Sequence, residues 1–249
     1  MEVGAQFYTI RDFCKTPEDL VQSMQRIADI GYKNIQLSGV CDFEPEFMRE
    51  QLDKTGLKCV LTHNDKKKIM EQTQKLLSDH RIFGCKNIGL GWHGFDEEKG
   101  QTVEQFVAEL SEAAKKIHAA GAYFMYHNHD HEFKKVNGKI ILQQLAEAFP
   151  AEELGFVLDT FWVQAGGGDP AYWLERLSGR VPCIHLKDYA YGRKMAVIGE
   201  GNINFDRVFE KAEPAGVQYM LVEQDDCYGE DPFECLRRSY NNLHSLGFN

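Results

Sequence analysis

The feature that most constrains the fold is a regular alternation of short β-rich runs with longer segments of helical periodicity. Eight units of this kind follow one another along the 249 residues. Strands that alternate with helices form parallel sheets, and an α/β barrel typically needs about 250 residues. We therefore expect an α/β fold consisting of a single (β/α)₈ TIM barrel, with one domain over residues 1–249. The expected strands are Val3 to Tyr8, Asn34 to Leu37, Lys58 to Thr62, Asn87 to Leu90, Tyr123 to His127, Gly155 to Leu158, Cys183 to Leu186 and Tyr219 to Val222.

The segments between the strands carry apolar residues at the i, i+3, i+4, i+7 spacing of an amphipathic helix. The clearest pattern covers residues 103–117, and weaker patterns cover residues 20–28, 69–77 and 141–149. A glycine just past a helix commonly ends it in a left-handed turn. The glycines in this position are Gly31, Gly56, Gly84 and Gly121.

Two segments interrupt the alternation. After the fifth strand, Asn137-Gly138 is a strong hairpin turn signal. After the seventh strand, residues 188–205 predict a long loop. In barrel enzymes, extended loops at the carboxyl ends of the strands build the active site.

Composition excludes several classes of partner. The formal net charge is −10 with scattered Lys and Arg residues, so nucleic acid and anionic membrane surfaces are repelled. Signal peptides and membrane spans need longer apolar runs than this chain has, so we expect a cytoplasmic protein. The seven cysteines are an odd number without a CxxC pair, which predicts reduced thiols. The oligomeric state stays open, a homo-oligomer included.

Four consecutive strands end in residues that bind metals, namely His127, Asp159, His185 and Glu223. Because the ends of neighbouring parallel strands meet at the mouth of a barrel, we expect these side chains to surround one cation. Two imidazoles and two carboxylates suit Mn²⁺, which we favour, and also Co²⁺, Mg²⁺ or Zn²⁺. Taken singly, each residue also has an ordinary structural role, such as capping of the next helix by Asp159. Four ionisable groups at the ends of successive apolar strands are nevertheless costly to place without partners.

The remaining candidates are expected to contact the substrate. His63 and His93 either donate hydrogen bonds to substrate hydroxyls or bond loop carbonyls, and His129 is a further candidate for a substrate contact. Lys187 lies two residues after His185 and is expected on the same strand face, where its ammonium can stabilise an oxyanion. The alternative for Lys187 is a surface side chain with a buried stem.

The run HNHDHEF, which begins with the last residue of the fifth strand, holds three histidines. Alternation places His127 and His129 on one face of the strand, whereas His131 is expected in solvent. Glu132 is either a surface hairpin carboxylate or a substrate contact. Trp92, Trp162 and Trp173 are candidates for an apolar wall against a bound ring, with core packing as the alternative for Trp173, which falls within a predicted helix.

Six motifs carry a family resemblance: GAQFYTIRD, YHNHDHEF, LDTFW, HLKD, GEGNINF and VEQD, in this order. The chain resembles the sugar phosphate isomerase/epimerase family of the xylose isomerase-like TIM barrels over essentially its whole length. In the ketose 3-epimerase branch, the resemblance implies a metal bound by Glu, Asp, His and Glu, with the two glutamates exchanging the proton. Asp159, His185 and Glu223 match that pattern, but His127 stands where the first glutamate is expected. His127 or Glu132 would have to replace it.

Two other branches bear on the activity. The inosose dehydratase branch is similar in its histidine-rich fifth strand, so the elimination of water beside a ketone stays open. A DNA-repair endonuclease with three zinc ions belongs to the same superfamily. Trp162 stands where that branch has a ligand histidine, and the loop before GEG lacks an Asp-x-His pair. The extra zinc ions would therefore have too few ligands.

These observations favour a divalent-metal-dependent isomerase or epimerase that acts on a keto-sugar or sugar derivative through a metal-stabilised enediolate. Glu223 is the expected base, Lys187 stabilises the enediolate oxygen, and His127 or His63 returns the proton. The alternatives are a dehydratase or lyase of the inosose dehydratase type and a non-catalytic sugar-binding barrel. For a phosphate group, only scattered donors such as Lys187 and Arg193 are present.

Overall fold

A closed barrel of eight parallel strands forms the centre of the protein, as shown by a computed structural model that describes residues 1–248. Each strand pairs with its neighbours along the chain, and the first strand pairs in parallel with the last, which closes the barrel. The expected (β/α)₈ TIM barrel is thereby confirmed. The strands are β1 (Glu2–Gln6), β2 (Asn34–Leu37), β3 (Lys58–Asn64), β4 (Asn87–Leu90), β5 (Tyr123–His127), β6 (Leu154–Asp159), β7 (Cys183–Leu186) and β8 (Tyr219–Val222).

The bounds of β2, β4, β5, β7 and β8 are those predicted, while three strands differ at their ends. The first strand stops at Gln6, whose side chain accepts a hydrogen bond from the backbone N–H of Tyr8 and starts a 3₁₀ turn over Phe7–Phe13. The strands β3 and β6 run further than predicted, to Asn64 and Asp159. Polar residues therefore continue these strands into the mouth of the barrel, where the pattern of apolar residues gives no signal.

Helices surround the barrel and bury their apolar faces against it. Residues 69–77 do not form one helix as predicted, because Gln72 leaves the helical region (φ −124°) and separates two helices. The four glycines expected beyond helices all have positive φ. The helices are α1 (Pro17–Ile30), α2 (Pro45–Thr55), α3 (Lys66–Glu71), α4 (Thr73–Phe83), α5 (Val103–Ala119), α6 (Ile141–Ala148), α7 (Thr160–Ala165), α8 (Pro170–Arg176), α9 (Phe205–Ala212) and α10 (Pro232–Ser245).

The segment after β5 folds into the predicted hairpin, Lys135–Val136 with Lys139–Ile140. Asn137 and Gly138 form its turn, with φ values of 52° and 81°. The turn signal in the sequence is therefore confirmed.

The segment after β7 is more regular than the long loop predicted. It begins with an antiparallel hairpin of Asp188–Ala190 and Lys194–Ala196. The buried carboxylate of Asp188 accepts hydrogen bonds from the backbone N–H groups of Gly199, Gly201 and Ile203. One side chain thus anchors the polypeptide that follows the hairpin.

The core has two layers. The larger lies between the helices and the outside of the barrel, and a smaller cluster fills the barrel interior below the mouth with Val60, Leu61, Met125, Val157, Cys183 and Leu221. Within residues 1–248 the cysteines form no disulfide, as predicted. No helix in the described part of the chain is long and apolar enough to cross a lipid bilayer.

Candidate metal centre and its cavity

The four residues predicted to share a cation lie together at the mouth of the barrel. His127 ends β5, Asp159 ends β6, His185 lies in β7 and Glu223 follows β8. One potential ligand atom from each lies within 4.8 Å of the others, and all four side chains are buried. The strand register sets this arrangement, because Asp159 is the direct partner of His185 and Leu221 pairs with His185 on its other side.

The facing atoms of the cluster are two ring nitrogens and two carboxylate oxygens. Asp159 Oδ2 lies 3.3 Å from His127 Nε2 and 3.5 Å from His185 Nδ1. Glu223 Oε2 lies 3.0 Å from the same His185 nitrogen. A small cation between these atoms would have the mixed nitrogen and oxygen ligands typical of Mn²⁺, Co²⁺ or Zn²⁺ sites.

The second polar atom of each ligand is held by an outer partner. His127 Nδ1 lies 3.0 Å from the carbonyl oxygen of Gly91, which can only accept, so the ring proton is on Nδ1 and Nε2 is free to bind a metal. Asp159 Oδ1 accepts from the backbone N–H of Trp162. His185 Nδ1 is buried and makes no hydrogen bond within residues 1–248. Outer partners of this kind orient metal ligands, and an orphaned inward nitrogen fits a site built for a cation.

A buried ammonium lies beside the cluster. Lys187 Nζ donates to Asp225 Oδ2 at 2.7 Å, to Glu223 Oε2 at 3.0 Å and to Asp159 Oδ2 at 3.5 Å. The strand ends at Leu186 as predicted, and Lys187 lies just beyond β7 with its side chain directed into the site, beside His185. With neutral imidazoles, three carboxylates and one ammonium leave two negative charges, which one divalent cation would balance.

These charges shift the pKa values of the site. Burial opposes ionisation of Asp159 and Glu223, but the nearby ammonium and imidazoles outweigh it and keep both pKa values below their usual range. Burial would lower the pKa of His185, yet the two carboxylates raise it to about 9. Burial and the charge of Glu223 raise the pKa of Asp225 to about 6 despite its contact with Lys187.

The cluster forms the floor of a cavity of about 650 Å³. Several residues expected to contact a substrate line it, and Trp92 stands at its rim with 61% of its surface exposed. The expected residues that line the cavity are His63, His93, His127, His129, Trp162, Lys187 and Glu223.

The three other histidines that line the cavity are neutral hydrogen-bond donors or acceptors. Burial, followed by the effect of neighbouring imidazoles, lowers the pKa of His63 far below its usual value and that of His129 to about 2. Burial lowers the pKa of His93 to about 4, and its ring packs against Phe95 and Phe106. His63 Nε2 and His129 Nδ1 are both buried and have no hydrogen-bond partner in the range 1–248.

Two expectations for the loop after β5 are wrong. The carboxylate of Glu132 is fully buried behind the cavity wall, where it accepts from the hydroxyl of Tyr126 and from the backbone N–H of His129. Glu132 therefore shapes the loop and does not reach a substrate. His131 is not in free solvent, because its Nε2 bonds the carbonyl oxygen of His93 at 2.8 Å and its ring stacks on His129.

Three residues of the site were not among those predicted from the sequence. Gln6, in β1 next to β8, bonds Glu223 at 2.7 Å, and Gln36, in β2, reaches across the barrel to bond His185 at 2.7 Å. A buried amide inside an apolar strand was the available signal for both. Asp225 lines the cavity two residues after Glu223, and its signal was the second acidic residue in VEQD.

Solved structures share this fold at low sequence identity. A sugar phosphate isomerase/epimerase from Parabacteroides distasonis ATCC 8503 is 22% identical, with 98% of this chain and 93% of that chain covered and a TM-score of 0.83. L-ribulose 3-epimerase is 16% identical, with 99% and 94% covered and a TM-score of 0.75. The probable 3-DHS dehydratase AsbF from Bacillus anthracis is 15% identical, with 98% and 99% covered and a TM-score of 0.74.

The family comparison is more decisive than these structural likenesses. No curated protein matches the sequence. The family model for the xylose isomerase-like TIM barrel matches residues 24–238, which is most of the chain. Together with the closed barrel and the ligand cluster at its mouth, this match shows that the chain belongs to the xylose isomerase-like TIM barrel family.

Proposed function

We propose that the protein is a divalent-metal-dependent isomerase or epimerase that acts on a keto-sugar or a sugar derivative through an enediolate. The observation that carries the proposal is the buried cluster of His127, Asp159, His185 and Glu223 on the floor of an open cavity. The structural likeness to L-ribulose 3-epimerase is consistent with it. Mn²⁺ is the ion we favour, since the ligands combine imidazole with carboxylate.

Each residue of the site has a role in such a reaction. A divalent ion held by the cluster would act as a Lewis acid toward the substrate carbonyl and reduce the cost of negative charge on its oxygen. Glu223 is the base that removes a proton from the neighbouring carbon: it lines the cavity, its lowered pKa keeps it ionised, and its Oε1, which accepts from Gln6, has a second lone pair that can take the proton. The ammonium of Lys187 donates toward the developing oxyanion.

His63 is the better candidate for the group that returns the proton. Both nitrogens of His127 face other atoms, the carbonyl oxygen of Gly91 and the carboxylate of Asp159. His63 lines the cavity from β3, and within the described chain its Nε2 has no partner. Because burial keeps His63 neutral, the proton that it returns is that of its ring N–H, which reaches the substrate from a different wall than Glu223, as an inversion at carbon requires; the proton taken up by Glu223 restores it after turnover.

A lyase is the second candidate, favoured by the position of Asp225. Its carboxylate and that of Glu223 share the ammonium of Lys187, at 2.7 and 3.0 Å, so two acid/base groups lie on one wall of the cavity. Glu223 would remove the proton while Asp225 protonates a departing hydroxyl or glycosidic oxygen. The likeness to the probable 3-DHS dehydratase is consistent with this alternative.

We also propose that the substrate carries no phosphate. The cavity is lined by two cationic side chains, Lys66 and Lys187, and each already pairs with carboxylates. Arg193 pairs with Asp130 outside the cavity lining. A phosphate dianion would therefore find no unpaired cationic side chain along the part of the cavity formed by residues 1–248, and carboxylates would repel it.

Incubation of the Mn²⁺-loaded protein with keto-sugars and 3-keto-glycosides in D₂O tests the function. Deuterium in a recovered sugar or its epimer supports the isomerase, and release of water or alcohol supports the lyase. The Glu223→Gln variant, assayed at saturating Mn²⁺ because the replaced carboxylate is also a proposed metal ligand, should lose exchange, whereas the exposed control Glu234→Gln should behave as wild type. A protein that binds sugars and gives neither exchange nor elimination would be a non-catalytic sugar-binding barrel. The proposal that the substrate lacks phosphate predicts that adding a phosphate to an accepted sugar abolishes its reaction.

A further inference from the structure

Gln36 makes an unusual contact with the metal cluster. It lies in β2, is fully buried, and places its Oε1 atom 2.7 Å from His185 Nε2. Strands β1 and β8 separate β2 from β7 in the barrel, so this amide reaches across the barrel interior. The contact is therefore a specific link between the first quarter of the chain and a candidate metal ligand.

We propose that Gln36 is a positioning residue that makes Nδ1, and not Nε2, the atom through which His185 binds the metal. This inference rests on the proposed metal-dependent function. An amide oxygen only accepts hydrogen bonds, so the bond requires a proton on His185 Nε2. The lone pair is then on Nδ1, which faces Asp159 Oδ2 at 3.5 Å and Glu223 Oε2 at 3.0 Å.

The opposite orientation of the amide would block the site. With the amide nitrogen toward the ring, His185 Nε2 would have to accept, and the proton would move to Nδ1 between the two carboxylates. The imidazole could then donate to the carboxylates but could not bind a cation between them. The state of one buried amide therefore decides whether the four side chains form a metal site or a hydrogen-bonded cluster.

The other ligands show why this role falls to a side chain. His127 is fixed by the carbonyl oxygen of Gly91, and Asp159 by the backbone N–H of Trp162, so the main chain orients both. The imidazole ring of His185 bonds no main-chain atom within the described residues, and Gln36 supplies the acceptor for its Nε2 proton. The amide nitrogen of Gln36 is itself unpartnered among residues 1–248, a cost that a merely structural glutamine at this buried position would not explain.

Gln6 makes the complementary contact from β1. Its amide nitrogen donates to Glu223 Oε1 at 2.7 Å, which leaves Oε2 for the cation. An amide offers both an acceptor and a donor, and the two glutamines use the one that each ligand needs. The first two strands thus orient the ligands that the last two strands provide.

The test compares Mn²⁺ affinity, measured by titration calorimetry and by electron paramagnetic resonance, between wild type and variants of Gln36. Gln36→Leu should weaken binding about 10- to 100-fold, as loss of an outer hydrogen-bond partner typically does. Gln36→Glu keeps an acceptor oxygen and should retain tight binding. Gln51→Leu makes the same replacement at a buried glutamine of α2 and should leave affinity unchanged. Wild-type affinity in Gln36→Leu would overturn the inference.

A second measurement needs no variant and covers the case in which Gln36→Leu fails to fold. Nitrogen-15 NMR of the Zn²⁺-loaded wild-type protein should show His185 with a slowly exchanging proton on Nε2 and a metal-bound Nδ1. Coordination through Nε2 would refute the assignment. If metal binding depends on Gln36 as described but no sugar exchanges deuterium, the proposed function falls and the inference stands. If the wild-type protein binds no Mn²⁺ or Zn²⁺, both fall.

Discussion

Replacement of Lys187 by methionine tests how much its ammonium stabilises the negatively charged site. The ammonium is fully buried and contacts Asp225, Glu223 and Asp159 at 2.7, 3.0 and 3.5 Å. At an effective dielectric constant of about 20, each contact contributes about 5 to 6 kcal/mol of Coulomb attraction. Desolvation of the ammonium offsets several kcal/mol of this sum. Methionine keeps the volume and flexibility of the side chain but leaves three carboxylates close together.

We expect Lys187→Met to lower the free energy of unfolding by about 3 to 5 kcal/mol, the usual cost of an uncompensated buried charge. For a chain of this length, that loss corresponds to a decrease in Tm of about 6 to 20 °C. Differential scanning calorimetry at pH 8 without added metal measures it. Lys139→Met, which removes an exposed pair with Glu147, should cost less than about 1 kcal/mol and serves as the matched control.

The response to Mn²⁺ and to pH separates this explanation from simple loss of packing. Mn²⁺ supplies the missing positive charge, so it should raise the Tm of Lys187→Met by more than that of the wild type. The loss of stability should shrink toward pH 5, because Asp225, whose pKa is already raised to about 6 by burial and by Glu223, then takes up a proton. A variant as stable as the Lys139→Met control, or a loss unaffected by both treatments, would refute the reasoning.

Three further predictions concern other contacts. Burial alone would lower the pKa of His185, but the neighbouring carboxylates raise it to about 9. Below that pH a cation must displace a proton, so the Mn²⁺ affinity measured by titration calorimetry should fall about tenfold per pH unit from pH 8 to 6. An affinity that does not change with pH would contradict this prediction. Gly201→Ala should destabilise the segment after β7, because the added Cβ would lie 2.5 Å from Asp188 Oδ1, and faster amide hydrogen exchange confined to that segment would report it. Glu132→Ala should cost about 1 to 3 kcal/mol in urea unfolding by leaving the Tyr126 hydroxyl without its buried acceptor, whereas Glu132→Gln should cost less.

The fold was predictable because it depends on apolar periodicity, which is local. Strands such as Tyr123–His127 combine β-rich composition with a polar residue at the mouth end, and five strands were located to the residue. The ends of β1, β3 and β6 were not predicted. The end of β1 depends on a hydrogen bond that the side chain of Gln6 accepts from the backbone N–H of Tyr8 in the folded protein, and β3 and β6 extend into polar residues at the mouth. The hairpin after β7 was missed because its turn, at Gly192 and Arg193, has no Asn-Gly signal.

The residues of the candidate site that could be predicted are those at the ends of successive strands. His127, Asp159, His185 and Glu223 come from neighbouring strands, so chain order alone brings them together. Gln36 contacts the site through a bond across the barrel, between residues 149 positions apart, and no local pattern records such a contact. Glu132 was misjudged for a related reason, because whether a carboxylate after a strand turns toward the cavity depends on the partners it finds in the loop.

The strand ends hold the ligand atoms and the loops form the upper wall of the cavity. This separation affects which molecules a barrel of this kind can bind. The ligand atoms sit on β5 to β8 and are oriented by β1, β2 and the main chain, whereas Trp92, Asp65 and Lys66 on the upper wall belong to the segments after β3 and β4. Changes in length or composition of those two segments would alter which molecules fit without moving any ligand atom, provided that Gly91, whose carbonyl oxygen orients His127, stays in place. If the proposed function is correct, exchange of these segments between relatives should transfer substrate preference and retain the proposed chemistry.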